Sequence, residues 1–129
     1  MAQAFYTTGP VDNSNGENET RFLRATILNL NTTGNADITV RVLNISGTRT
    51  LIPGGQQNFT VSPNSGANSA AYLFIDSLVA YEVVVIVNHP SNVNGVLISV
   101  WGTGPDGTNP DTTFLAHTRF IHSEMHRLL

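Results

Sequence analysis

From Arg21 onward, apolar and polar residues alternate in short runs, and each run ends in turn-forming residues. The clearest run is Ala36 to Ile45. Ile38, Val40 and Val42 point one way and Asp37, Thr39 and Arg41 the other, the period of two expected of a half-buried strand. Further strands are predicted over 21–30, 48–52, 57–62, 69–75, 79–87, 93–101 and 112–122. They are separated by Asn31-Thr32-Thr33-Gly34-Asn35, Ser46-Gly47, Pro53-Gly54-Gly55, Pro63-Asn64-Ser65-Gly66, Asn88-His89-Pro90-Ser91-Asn92 and a Gly/Pro-rich stretch from Gly102 to Pro110. The run Val79 to Val87 is β-branched on both faces and predicts a central strand. A bulge is expected at Asn94-Gly95, and Asp76-Ser77 forms a tight corner. Ser123 to Leu129 reads as a short helix with Ser123 as its N-cap, or as an extended tail.

Short strands at regular spacing predict an all-β jelly roll or β-sandwich of about eight strands. Ala2 to Thr8 forms an apolar and aromatic arm ahead of it. Gly9-Pro10 and the polar, acidic stretch to Thr20 form a linker. The expected organisation is an arm and linker over 1–20, a body over 21–122 and a tail over 123–129.

Composition narrows what such a domain does. At 129 residues the chain is one domain. Only 12% of its residues are charged, while it holds 14 Asn, 15 Thr, 9 Ser and 11 Gly. A neutral, hydrated surface does not repel copies of itself. The net charge of −3, with six Arg and no Lys, offers no basic stripe for nucleic acid. The absence of lysine removes Schiff-base and isopeptide chemistry. The absence of cysteine removes disulfides, thiol nucleophiles and thiolate metal sites. The N-terminal residues show no secretory signal, and no apolar run approaches the ~18 residues of a membrane-spanning helix.

Candidate chemistry is sparse. His122 and His126 have the spacing of two ligands on one helix face, but His-Ser-Glu-Met-His is not the zincin order His-Glu-x-x-His. His117, His122 and His126 are therefore expected on a polar β-surface or in a subunit contact, and no metal is expected. There is no Gly-x-Ser-x-Gly elbow and no phosphate-binding loop. Glu82 is expected to face outward at an edge or interface. No catalytic residue and no cofactor are assigned. Most aromatic residues fall at core positions. Phe5 and Tyr6 are the exception, because they lie on the arm, and large apolar side chains on an arm fit a groove. That groove belongs either to the same subunit or to the next.

An arm donated to a neighbour's sheet edge joins copies head to tail, and such a contact need not close into a ring. The expected subunit interface is Ala2, Ala4, Phe5 and Tyr6 of the arm with Met125, Leu128 and Leu129 of the tail. The competing expectation is that Ala2 to Thr8 pairs within its own sheet. Two other classes fit the same composition: a viral or phage capsid or fibre protein, and a carbohydrate-binding module with Trp101 exposed as its platform.

The segments Ala25-Thr-Ile-Leu-Asn-Leu-Asn-Thr-Thr-Gly34, Ile38-Thr-Val-Arg-Val-Leu-Asn44 and Phe59-Thr-Val-Ser-Pro63 follow a run of strand, polar turn, strand and Pro-bounded strand. In this the chain resembles the endospore appendage subunits of Bacillus-type spores. The resemblance implies a self-assembling fibre on a spore or cell surface, made without a secretory signal in the mother cell, with copies of itself as partners. Those subunits cross-link neighbours through cysteines in the connector, and this chain has none. A fibre of this chain is then held by strand insertion and packing alone.

Overall fold

In the computed structural model, which describes residues 2–13, 22–70, 78–103, 116–121 and 126–127, the alternating runs form two antiparallel sheets. The described strands are β1 (Ala2–Thr7), β2 (Val11–Asp12), β3 (Phe22–Asn29), β4 (Ala36–Asn44), β5 (Thr50–Val61), β6 (Ser65–Asn68), β7 (Ala80–His89), β8 (Val96–Thr103), β9 (Ala116–Ile121) and β10 (His126–Arg127). One sheet has the order β10-β1-β7-β4-β5, with β2 also pairing β7. The other has the order β6-β3-β8-β9.

The period of two decides which side chains meet. Ile38, Val40 and Val42 of β4 and Tyr81, Val83, Val85 and Val87 of β7 share one buried cluster with Leu23, Ala25 and Ile27 of β3 and Val96, Ile98 and Val100 of β8. Each sheet thus gives alternate residues to a common core. Asp37, Thr39 and Arg41 point away from it, as their alternation predicts. Two of them form polar cross-strand pairs: Thr39 Oγ1 donates to Asn58 Oδ1 at 2.8 Å, and Thr60 Oγ1 to Asp37 Oδ1 at 2.8 Å. β7 is central, as expected, with β4 on one side and β1 and β2 on the other.

Several boundaries differ from the expected ones. Pro53-Gly54-Gly55 does not separate two strands. β5 runs through it, and the pairing with β4 shifts register between Arg41 and Leu43. Gly54 takes φ +67 in this irregularity, and a Cβ on Gly55 would meet the Val42 carbonyl at 2.7 Å. Ser65 and Gly66 belong to β6, not to a turn; most of the strand expected over 69–75 lies outside the described residues. β7 continues through Asn88 and His89. The segment Val93–Gly95 is a single 3-10 turn leading into β8. At the tail, His126 and Arg127 are extended and pair with β1. The helical expectation is corrected there, because hydrogen bonding to an adjacent strand competes with a one-turn helix that has little to nucleate it. No helix among the described residues is long and apolar enough to cross a membrane.

Candidate functional site

The arm is the strand that the remaining features converge on. β1 runs antiparallel to β7, from Ala2 opposite His89 to Thr7 opposite Val84. Its even positions face the core: Ala4 is fully buried and Tyr6 is 2% exposed. Of the two aromatic residues expected to need a groove, Tyr6 finds it inside its own chain. Phe5 takes the opposite face, as its odd position requires, and is half-buried opposite Ile86.

Pairing does not stop at Thr7. The Thr8 N–H donates to the Val83 carbonyl at 3.0 Å, while the Val83 N–H donates to the Thr8 hydroxyl at 3.0 Å, so a side chain extends the ladder. Gly9, at φ +68, and Pro10 then divert the backbone. Val11 and Asp12 return to β7 opposite Tyr81 and Ala80, and Asn13 donates its N–H to the Val79 carbonyl at 2.8 Å. The expected linker thus begins later than Gly9. Residues 2–13 lie along the whole of β7. The composition of Gly9 to Asn13 reads as a loop because two-residue strands carry no periodicity.

On the outward face the arm is fixed by side chains. Gln3 Nε2 donates to Asn88 Oδ1 at 2.8 Å. Thr7 Oγ1 donates to Glu82 Oε2 at 2.5 Å, and Arg49 Nε donates to Glu82 Oε1 at 2.6 Å. Glu82 is not at an edge. It sits 9% exposed on the central strand, which corrects the outward edge position expected for it. Burial pushes its carboxyl upward. The hydrogen bonds from Arg49 and Thr7, with the Arg49 charge, outweigh burial and hold it below the ordinary carboxylate value. Its hydrogen bond in turn raises Arg49. A lone acid inside Val79 to Val87 was the sequence signal for this site, since an isolated charge in a central strand requires partners.

The tail meets the arm. β10 pairs Arg127 with Tyr6 and His126 with Thr7. The Arg127 guanidinium lies 5.9 Å from the Tyr6 ring centroid, and its Nη1 donates to Asn94 Oδ1 at 2.7 Å. Of the expected interface residues, Ala2, Ala4, Phe5 and Tyr6 therefore lie on one strand. Met125, Leu128 and Leu129 lie outside the described residues.

A second polar cluster holds one end of the core. His89 is 1% exposed, not on a polar β-surface. Its Nδ1 accepts the N–H groups of Ser91 and Asn92 at 3.1 and 2.9 Å, so the ring proton sits on Nε2, which faces the carbonyls of Gly34 and Thr33 at 3.1 and 3.2 Å. Asn29 of β3, fully buried, donates to the carbonyls of Gly34 and Val61 and so ties the two sheets together. Its Oδ1 accepts the N–H and side-chain amide of Asn31, which exchanges hydrogen bonds with Asn92. The His89 ring and the Asn29 side chain spend their hydrogen bonds on groups of the chain itself, which marks the cluster as structural.

Gly34 completes it. It has φ +89, and a Cβ there would lie 2.8 Å from His89 Nε2, whereas Gly47, at φ +97, has open space. Gly47→Ala is expected to cost only the backbone term, about 1–2 kcal/mol. Gly34→Ala is expected to cost clearly more, because His89 must move. Urea midpoints of the two variants measure the difference.

The remaining candidates do not assemble a site. Trp101 is half-buried on the outer face of β8. Its Nε1 donates to Thr26 Oγ1 at 3.2 Å, and the Arg24 guanidinium lies 5.9 Å from its ring centroid. A sugar stacking on that face of the ring would first have to displace Arg24. Among the described residues, no three His, Cys, Asp or Glu side chains lie together as metal ligands. His117 is on β9 and His126 on β10, so the helical spacing proposed for His126 does not apply; His122 lies outside the described residues. No protein-family model matches the chain, and no curated protein matches it.

Proposed function

We propose that this chain is a structural subunit, not an enzyme, that assembles with copies of itself into a surface fibre. It would do so by giving the arm, residues 2–13, to the six-stranded sheet of the next subunit, within a β-sandwich body. The supporting observation is that the arm is a complete, non-covalently docked strand that fills core positions with Ala4 and Tyr6. Whatever holds it in its own chain holds it equally well in a neighbour, because the contacts are identical. Only residues 14–21 join it to β3. That length of chain reaches up to about 27 Å when extended. The lack of lysine and the uncharged pairs on the outer face of the sheet let copies approach without repulsion. A place on a spore or cell surface follows from the resemblance to appendage subunits.

A reversible lock tests this. The Thr8–Val83 bond makes those two a hydrogen-bonded pair, so Phe5 and Ile86, three pairs along, are a non-hydrogen-bonded pair with Cα atoms about 4.5 Å apart, within the range of a disulfide. The chain has no other cysteine to interfere. Phe5→Cys/Ile86→Cys protein, oxidised as a monomer, is expected to stay monomeric, while the reduced protein forms filaments visible by negative-stain electron microscopy. Filaments from locked monomers would rule out arm exchange. No filaments from either the reduced variant or the unaltered chain at any concentration would rule out the fibre.

A further inference from the structure

Among the described residues, Glu82 is the one buried carboxylate, and the fold places it where it touches both the arm and the body. It binds Thr7, the last residue of β1, two residues before Gly9, and it binds Arg49 in the connection between β4 and β5. The Gln3 to Asn88 bond, farther along the same face of β1, is neutral and exposed. The Thr7 hydroxyl also accepts the Gly9 N–H at 2.9 Å, so the same group orders the turn that ends β1. We propose that the Thr7–Glu82–Arg49 cluster is an acid-sensitive latch on β1, and that losing the Glu82 charge speeds undocking of the arm, the step that precedes its docking in a second copy of the chain. The release step rests on the arm-exchange reading above; the latch itself does not.

The surrounding charges set the sign. Arg49 binds Glu82 directly, and Arg41 lies on the same face of β4. Asp12, opposite Ala80, adds a like charge one step along β7. Burial raises the Glu82 carboxyl, but the hydrogen bonds from Arg49 and Thr7, with the Arg49 charge, outweigh it and hold the carboxyl below its ordinary value. The stabilisation is therefore complete above the ordinary carboxylate value and disappears as pH falls through the lowered value in the folded chain. Once protonated, Glu82 loses its charge-assisted bonds to Arg49 and Thr7, which are stronger than neutral ones.

Amide hydrogen exchange on the full chain tests the latch directly. In Glu82→Gln at about pH 7, protection of Ala2 to Thr7 is expected to fall about tenfold, with β4 unchanged. At about pH 3, the unaltered chain is expected to lose protection in β1 selectively, and Glu82→Gln to show no such pH response. If Glu82→Gln loses protection throughout, the milder Thr7→Val decides the matter. Unchanged β1 protection in both variants overturns the latch, whatever the assembly state. Size-exclusion chromatography of the same samples, followed over time, reads the second half: oligomers that form sooner where β1 is more exposed support exchange with a second copy. Loss of β1 protection with no oligomer in any sample overturns exchange and leaves the latch standing.

Discussion

A chain lacking residues 2–13 is expected to be severely destabilised and to regain its fold when a peptide of those residues is added. Deletion removes Ala4 and Tyr6 from the core and leaves one edge of β7 without its ladder. Loss of a buried aromatic side chain alone costs about 3–5 kcal/mol, comparable to much of a small domain's stability. The peptide carries the same hydrogen-bonding groups and the same Tyr6, so it binds the groove in trans. Its effect is read as a melting temperature that rises with peptide concentration. A peptide with Tyr6→Ala is expected to fail, because the ladder alone supplies little specificity. Equal stability with and without the arm would mean that β1 is an accessory strand, and the proposal of exchange would lose its physical basis. Rescue by the peptide would establish the elementary step of a fibre, an arm docking into a body to which it is not covalently joined.

The body was legible in the sequence where one face is buried and the other wet. β4 alternates cleanly because it pits a core face against a polar one, whereas β7 read as central because its outer face is largely apolar as well. The arm was legible as a strand, but the sequence does not state its partner: alternation places Tyr6 on a buried face without saying whose. Three features were hidden for physical reasons. β5 passes through Pro53 and two glycines because an irregular strand tolerates residues that a regular ladder excludes. Glu82 faces away from the core yet is covered, and a period of two distinguishes faces, not cover. His89 looked like a turn residue before proline. Its value lies in two nitrogens that serve backbone groups of two separate loops, a convergence that no local pattern encodes.

His89→Phe is expected to produce the other large effect, a loss of about 3 kcal/mol. The substitution keeps the ring and the burial but removes all hydrogen bonding. The N–H groups of Ser91 and Asn92 lose their acceptor, and the carbonyls of Gly34 and Thr33 lose a donor, in a position that is 1% exposed. Each unpaired buried group costs about 1–3 kcal/mol, reduced where a loop can turn to water. His89→Gln retains one acceptor and one donor and is expected to recover part of the loss. Urea denaturation distinguishes the cases: a lower midpoint with an unchanged slope reports lost stability, while a changed slope reports a different folded or unfolded ensemble. A His89→Phe midpoint equal to that of the unaltered chain would show that the two loops find other partners.

The irregular course of β5 bears on how copies would crowd together in the proposed fibre. A fibre must grow along one axis and resist thickening into aggregates, and an uninterrupted outer strand invites sideways growth. The outer strand here is interrupted. Pro53 presents no N–H, the register breaks beside it, and Gln57 turns its amide inward to pair with both backbone groups of Ala70. A neighbour arriving laterally meets a border broken at Pro53 and regular only from Gln56 to Val61. In the proposed fibre, this break would discourage sideways pairing along β5 and leave the arm's own berth as the place of growth, so that copies packed side by side would stay separate threads.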